Sequence, residues 1–196
     1  MISVKKAELY KTIFKPEELP DTPYNEVAFV GRSNVGKSSL LNSIVKNYKL
    51  AKVSSSPGKT RSVNFYFVNE KFFIVDLPGY GFAKTSKSEQ GRWRSLIESY
   101  LKDRDKLKGI FLLVDSKVGP TEKDKMMRDW LVFYSIPFAV VATKFDKLKK
   151  QSERATVEKR IKKGLELPGI FPIIRFSAKT KEGRPDVLKQ IERFLD

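Results

Sequence analysis

The stretch Gly31-Arg32-Ser33-Asn34-Val35-Gly36-Lys37-Ser38 matches the pattern G-x-x-x-x-G-K-[ST]. It follows a short apolar run over residues 26–31, which predicts a buried strand, and it precedes a helix-forming stretch over residues 37–46. A glycine-containing loop between a strand and a helix can wrap around phosphate groups, because its backbone N–H groups point inward. Lys37 would then reach the β- and γ-phosphate oxygens, and Ser38 would offer its hydroxyl to Mg²⁺. This stretch therefore predicts a nucleotide-phosphate site.

Predicted strands and helices alternate along the rest of the chain. Apolar runs predict strands over residues 63–69, 71–76, 109–115, 137–143 and 171–176. Apolar side chains at helical spacing predict helices around residues 93–101, 127–134, 150–167 and 187–195. This alternation predicts an α/β fold with a mostly parallel sheet covered on both faces, and with ligands at the carboxyl ends of the strands.

The first 23 residues differ from the rest because they are charged and interrupted by Pro16, Pro20 and Pro23. They predict an extended lead-in, followed by one domain over residues 24–196. Residues 1–6 have no hydrophobic run before a small-residue cleavage site, so no secretory signal is expected. No stretch reaches the roughly 20 apolar residues of a membrane span. We therefore expect a cytoplasmic protein.

The composition of the 196 residues excludes several kinds of chemistry. The chain has no cysteine, which excludes disulfides, thiolate zinc sites and a cysteine nucleophile. It has no histidine either, which removes imidazole metal ligands and the commonest general base. Any essential metal must therefore bind oxygen ligands, which favours Mg²⁺. The net charge of +16 favours polyanions as partners.

A second motif, Asp76-Leu77-Pro78-Gly79, ends the predicted strand over residues 71–76. A carboxylate at this point can hold a Mg²⁺-bound water, and the N–H of Gly79 can donate to a γ-phosphate. Taken alone, D-x-x-G is common and a strand-ending turn explains it. Its place after a hydrophobic run and downstream of the phosphate loop favours the nucleotide role.

Two further motifs predict recognition of guanine. Thr143-Lys144-Phe145-Asp146 follows a predicted buried strand, and its carboxylate can accept both hydrogens of guanine N1 and N2. The stem of Lys144 can lie along the base. The alternative is a helix start with Asp146 as its cap. Ser177-Ala178-Lys179 follows the last predicted strand and could supply a backbone N–H to guanine O6.

In this order, the segments GRSNVGKS (31–38), DLPG (76–79), TKFD (143–146) and SAK (177–179), together with Thr60, resemble the translation-factor-related P-loop GTPases. The longer segments SPGKTRSVNF (56–65) and DLPGYGFA (76–83) resemble the EngB (YihA/YsxC) family of bacterial GTPases. The resemblance implies a Ras-like, three-layer α/β/α fold with a mostly parallel six-stranded sheet. It also implies Mg²⁺-dependent hydrolysis of GTP to GDP and phosphate as a molecular switch, and a role in large ribosomal subunit assembly. The family is also linked to cell division and septum formation.

The resemblance also assigns roles to residues. It makes Lys37, Thr60 and Gly79 catalytic, and it places Mg²⁺ on Ser38, on the switch-I residue Thr60 and, through water, on Asp76. The residues that it predicts to contact the nucleotide are Gly31, Arg32, Ser33, Asn34, Val35, Gly36, Lys37, Ser38, Ser39, Gly58, Lys59, Thr60, Arg61, Ser62, Asp76, Leu77, Pro78, Gly79, Thr143, Lys144, Phe145, Asp146, Phe176, Ser177, Ala178 and Lys179.

Tyr80 follows Gly79, at the position where Ras-like proteins carry the glutamine that orients the attacking water. Tyrosine cannot orient water in the same geometry, so slow intrinsic hydrolysis is expected, with help from a partner or a monovalent cation. Asn34 occupies the position that coordinates K⁺ in potassium-activated GTPases, which gives the hypothesis of K⁺ binding there. The alternative is an asparagine that hydrogen-bonds the loop or switch I.

Positive charge is concentrated over residues 144–163, which contain nine Lys or Arg and three Asp or Glu. A second cluster consists of Lys102, Arg104, Lys106 and Lys108. A solvated helix face explains any one such run, but the excess over the whole chain favours RNA as a partner. The family resemblance implies that this RNA is ribosomal. A monomer is the simplest expectation for the oligomeric state. Three alternatives remain open at this point: a kinase or ATPase with the same loop, a nucleic-acid-binding module with a vestigial GTPase, and a membrane-associated division GTPase. The last of these lacks an amphipathic or lipidation signal.

Overall fold

The computed structural model describes residues 2–45, 62–81 and 86–196. In these residues the strands are β1 (Ala7–Ile13), β2 (Glu26–Gly31), β3 (Val63–Val68), β4 (Phe72–Asp76), β5 (Leu107–Asp115), β6 (Phe138–Thr143) and β7 (Ile173–Arg175). The α-helices are α1 (Lys37–Val45), α2 (Lys87–Leu101), α3 (Glu122–Phe133), α4 (Gln151–Gly164) and α5 (Arg184–Leu195). The strands form one sheet in the order β1-β3-β4-β2-β5-β6-β7.

The neighbouring strands β4, β2, β5, β6 and β7 are all parallel. At the β4 edge of the sheet, β3 pairs antiparallel with β4, and β1 pairs antiparallel with β3. One face packs against α2, α3 and α4, through side chains such as Leu96, Met127 and Val157. The other face packs against α1 and α5, through side chains such as Leu40 and Ile191. Both faces of the parallel strands are therefore covered, which explains their nearly continuous apolar sequences. The predicted Ras-like α/β fold is confirmed.

The sheet has seven described strands, whereas the resemblance implied six. The additional strand is β1, which lies within the predicted lead-in and pairs antiparallel with β3. Its pairing shifts register between Leu9 and Lys11, and Leu9 and Tyr10 are 51% and 56% exposed. Because Ile13 is the only residue of β1 that is fully buried, the segment has little of the apolar alternation that predicts a strand.

A buried ionic cluster links the first residue of β2 to the end of α2 and to the connection between α2 and β5. The Glu26 carboxylate is completely buried and accepts two hydrogen bonds of 2.7 Å from Arg104. It also accepts one of 2.9 Å from the Tyr100 hydroxyl. Arg104 donates in addition to the Pro20 carbonyl. Arg104, predicted above to belong to a basic cluster, is therefore a structural cation.

The parallel strands end at the edge of the sheet where the sequence motifs lie. Asp76 is the last residue of β4, Gly31 ends β2, and Thr143 ends β6. Lys144 and Asp146 follow β6, and Ser177 follows β7. In the part of the chain that the structure describes, no helix has the length and apolar character needed to cross a membrane.

Candidate nucleotide site

The loop between β2 and α1 has the backbone shape of a phosphate-binding loop. Asn34 and Gly36 adopt left-handed conformations, with φ of 62° and 103°, which glycine and asparagine adopt most readily. The N–H of Val35 donates to the Arg32 carbonyl at 3.1 Å, which closes a tight turn before α1 begins at Lys37. The loop therefore presents its backbone at the N-terminus of a helix, as an anion site requires.

Lys37 and Asp76 are paired at the centre of the site. The Lys37 ammonium group donates to Asp76 Oδ1, and both side chains are almost fully buried. Asp76 reaches this point because β4 lies beside β2 in parallel register, with Phe29 opposite Asp76. The pair brings the predicted phosphate-binding lysine together with the carboxylate predicted to hold a metal-bound water.

The segment after Asp76 lies directly against the phosphate loop. Ser33 N–H donates to the Tyr80 carbonyl at 2.9 Å, and Tyr80 N–H donates to the Gly31 carbonyl at 3.3 Å. Between these contacts there is little room at residue 79, because a Cβ on Gly79 would lie 3.2 Å from the Ser33 nitrogen. Glycine at position 79 therefore allows the segment after Asp76 to lie against the phosphate loop, which a larger residue would crowd.

The Tyr80 side chain points into the protein. Its hydroxyl donates to Asp124 Oδ1 at 2.7 Å, and the residue is buried. Burial raises the pKa of Tyr80 well above its usual value, and the negative charge of Asp124 adds to this effect. The hydroxyl is thus bound to α3, which agrees with the expectation that Tyr80 does not orient an attacking water.

The last residue of β6 and the residue that follows it hydrogen-bond to the other side of the phosphate loop. Thr143 Oγ1 donates to the Val35 carbonyl at 2.6 Å. The Lys144 ammonium donates to the Asn34 carbonyl at 2.6 Å and to Asp115 Oδ2 at 2.7 Å. Burial acts to raise the pKa of Asp115, but hydrogen bonds from Lys144 and two backbone N–H groups outweigh it, so the pKa lies below its usual value.

The predicted guanine-recognition residues lie next to one another. Ser177 Oγ donates to Asp146 Oδ1 at 2.7 Å, and Thr180 N–H donates to Ser177 Oγ at 3.1 Å. An ionised carboxylate has about four acceptor positions, so Asp146 retains acceptors for a ligand. The side chains of Phe145 and Phe176 are buried in the core, which leaves their main chains for any contact with a nucleotide.

The structure brings most of the predicted site residues to one edge of the sheet, but not all of them lie in its described part. Ser62 is described and buried just before β3. The predicted contacts of Gly58, Lys59, Thr60 and Arg61 lie outside the described residues.

Three residues in or beside this site were not predicted, namely Trp93, Asp115 and Asp124. Asp115 carries a signal that could have identified it, because it is a carboxylate that ends a buried apolar strand, just as Asp76 does. Trp93 and Asp124 contact residues 15 and 44 positions away in the chain. No local pattern indicates such contacts.

The phosphate loop, the Asp76 segment and the Asp146 segment meet at the carboxyl edge of a Ras-like sheet, which is the arrangement of a P-loop GTPase. Comparisons with known proteins agree: residues 26–144 match the family described as 50S ribosome-binding GTPases. Within this class, the chain belongs to the EngB family of GTP-binding proteins and is a GTPase.

The relatives match over nearly their whole lengths. An EngB protein of Kosmotoga olearia is 52% identical over 186 residues, which cover 95% of this chain and 97% of the relative. An EngB protein of Petrotoga mobilis is 49% identical over 194 residues, which cover 99% of this chain and 98% of the relative.

Solved structures resemble the fold as well. A crystal structure of an EngB GTP-binding protein superposes with a TM-score of 0.72 and 26% identity, covering 87% of this chain and 98% of that one. Era, solved with MgGDPNP and a segment of 16S ribosomal RNA, gives a TM-score of 0.67 and 25% identity, covering 88% of this chain and 57% of Era.

Proposed function

We propose that this GTPase acts as a molecular switch in assembly of the large ribosomal subunit, in the cytoplasm and as a monomer. Its family is described as 50S ribosome-binding, which supports the large subunit as the partner. Era, a structural relative, was solved with a segment of 16S ribosomal RNA, which supports ribosomal RNA as a class of partner but not the choice of subunit. The observation on this chain that carries the proposal is a surface of exposed cations on and before α4. A link to cell division and septum formation enters the proposal through the family resemblance alone.

The α4 basic surface consists of exposed lysines that form no ion pair among the described residues: Lys147, Lys149, Lys150, Lys159 and Lys163. On the helix, Lys159 and Lys163 lie opposite the buried Val157 and Ile161. Other cations nearby are paired, such as Arg154 with Glu182 and Arg175 with Glu158. Unpaired exposed lysines gain most from RNA phosphates, because no internal partner must be given up.

Magnesium would bind beside the phosphate loop. Ser38 lies at the start of α1, where its hydroxyl oxygen is a suitable Mg²⁺ ligand. Asp76 lies at the end of β4 and would hold the ion through a bound water molecule. Thr60 would complete this ligand set. The ion would supply positive charge that offsets the negative charge of the phosphate groups. Chelation with EDTA is expected to abolish GTP turnover.

K⁺ bound at Asn34 would assist hydrolysis in a chain that has Tyr80 where Ras-like proteins carry the water-orienting glutamine. Asn34 is exposed, and its carbonyl accepts a hydrogen bond from Lys144, whereas its side-chain oxygen is not part of that bond. A carboxamide oxygen beside the phosphates could hold K⁺ and so supply positive charge during hydrolysis. Turnover should be faster in KCl than in NaCl at matched ionic strength. Equal rates would contradict this role.

Co-sedimentation with large ribosomal subunits tests both the nucleotide dependence of binding and the role of the α4 basic surface. We expect more binding with a non-hydrolysable GTP analogue than with GDP, and weaker binding as salt rises. The triple variant Lys149→Gln, Lys159→Gln, Lys163→Gln should weaken binding and lower the slope of log affinity against log salt by about one per lysine.

The matched control changes three exposed lysines elsewhere, namely Lys5, Lys71 and Lys189. It has the same change in net charge, so a general electrostatic effect would appear in both variants. Equal loss in the two variants would contradict the assignment of the α4 basic surface. Binding to subunits that is independent of both nucleotide and salt would contradict the proposed switch.

A further inference from the structure

The peptide group between Pro78 and Gly79 accepts a hydrogen bond from a side chain of α2. Trp93 Nε1 donates a hydrogen bond of 3.1 Å to the Pro78 carbonyl oxygen. A trans peptide group is planar, so its N–H points away from its C=O, and the described residues contain no cis peptide bond. The indole of Trp93 therefore sets the direction of the Gly79 N–H, which faces away from that indole.

The Gly79 N–H has no hydrogen-bond acceptor among the residues that the structure describes. Gly79 is buried, yet within residues 2–45, 62–81 and 86–196 no group accepts a hydrogen bond from its N–H. Buried backbone N–H groups are paired in the great majority of cases. An unpaired one that lies against the phosphate loop is suited to an oxygen atom supplied by a ligand.

The indole that orients this peptide is itself held in place. Its ring stacks on Trp130 of α3, with centroids 6.1 Å apart and planes 24° apart. It also meets the Tyr80 ring edge-on at 6.1 Å. Tyr80 in turn is fixed to α3 by its hydrogen bond with Asp124. Trp93 is thus packed between the segment it orients and a neighbouring helix.

We propose that Trp93 is a positioning residue for GTP hydrolysis, acting by aiming the Gly79 N–H at the γ-phosphate. This rests on the role proposed for Gly79, because Trp93 touches no reacting atom. GDP has no γ-phosphate, so the contribution of Trp93 is specific to GTP. A purely structural tryptophan would affect GDP and GTP alike.

The direct test is Trp93→Phe, which removes the donor and keeps an aromatic ring. We expect affinity for a non-hydrolysable GTP analogue, and kcat for GTP, to fall by about three- to tenfold, the range for one lost hydrogen bond. GDP affinity should stay within about twofold of wild type. Trp130→Phe is the matched control, since it changes the same stack and leaves the Trp93 donor in place. Identical behaviour of the two variants would overturn the proposal.

Removing the Gly79 N–H separates this inference from the role of Gly79 itself. Glycolate in place of Gly79, introduced by semisynthesis, turns that N–H into an ester oxygen and adds no side chain, whereas alanine would keep the N–H. If this ester impairs GTP binding and turnover while Trp93→Phe does not, the role of Gly79 stands and the role of Trp93 is overturned. If the ester has no effect, both are overturned.

A measurement on the unaltered protein covers the case in which a variant fails to fold. The chain has two tryptophans, so ¹⁵N spectra give two indole signals. The Trp93 signal should exchange with solvent more slowly than the Trp130 signal when the GTP analogue is bound. Faster exchange of Trp93 in that state would overturn the proposal.

Discussion

The Lys144 ammonium group lies between Asp115 Oδ2, at 2.7 Å, and the Asn34 carbonyl, at 2.6 Å. It thereby joins the segment that is predicted to recognise guanine to the phosphate loop, and its ion pair with Asp115 fixes its position. Asp115 is itself fixed by the N–H groups of Lys117 and Val118. The two ends of the site are thus connected by one side chain and its carboxylate partner.

Replacing Asp115 should weaken binding of nucleotides without slowing hydrolysis. Asp115→Ala removes the charged partner of Lys144, so affinities for GDP and GTP should both fall by roughly tenfold. The kcat at saturating GTP should stay within about twofold, because Asp115 holds the residue predicted to contact the guanine base and does not contact the γ-phosphate. Equilibrium binding and single-turnover kinetics measure these separately. A loss confined to kcat would contradict this role.

Asp146 should determine base specificity. Asp146→Asn places an N–H₂ group against guanine donors, so GTP affinity should fall roughly 10- to 100-fold, while xanthosine triphosphate affinity should rise. Competition binding with GTP, XTP and ATP measures this change in base preference. Ser177→Ala, which removes a positioning hydrogen bond, should weaken GTP binding without favouring XTP. Unchanged guanine preference in Asp146→Asn would contradict the assignment.

The Glu26–Arg104 pair should matter for stability and not for nucleotide binding. Arg104→Met leaves a completely buried carboxylate without its cation, which costs about 3–5 kcal/mol in the free energy of unfolding. Arg94→Ala, which removes an exposed pair with Glu98 and a cation–π contact with Trp130, should cost at most about 1 kcal/mol. Urea unfolding measures both variants. Equal stabilities of the two would contradict this role of the cluster.

Alkaline pH should destabilise the fold through its buried tyrosines. Burial raises the pKa of both Tyr80 and Tyr100 well above 10.0, with Asp124 and Glu26 adding to the effect. Each tyrosine holds its proton more tightly in the folded state, so stability is fully present below pH 10 and falls as pH rises above it.

Unfolding in urea from pH 8 to 11 tests this prediction. Tyr80→Phe and Tyr100→Phe should each flatten the fall in stability, because phenylalanine cannot ionise. Tyr10→Phe serves as the control, since Tyr10 is exposed. A wild-type stability that does not change from pH 8 to 11 would contradict the prediction.

The sequence predicted the parts of the fold and site that local patterns determine. Buried parallel strands such as β5 have continuous apolar runs, and each predicted motif follows such a run or leads into a helix. Strand β1 was missed because an edge strand with exposed side chains lacks an apolar pattern. The contacts of Trp93 with Pro78 and of Tyr80 with Asp124 are tertiary, so they emerge only when helices and sheet pack together.

Calorimetric titration of the protein with nucleotides in the presence of Mg²⁺ tests the central claim most directly. If the phosphate loop and Asp146 hold one guanine nucleotide between them, GDP should give a saturable heat with one site per chain. ADP at the same concentration should give none, and the GDP signal should weaken strongly in Asp146→Asn. Absence of heat with GDP, or equal heats with GDP and ADP, would contradict the account.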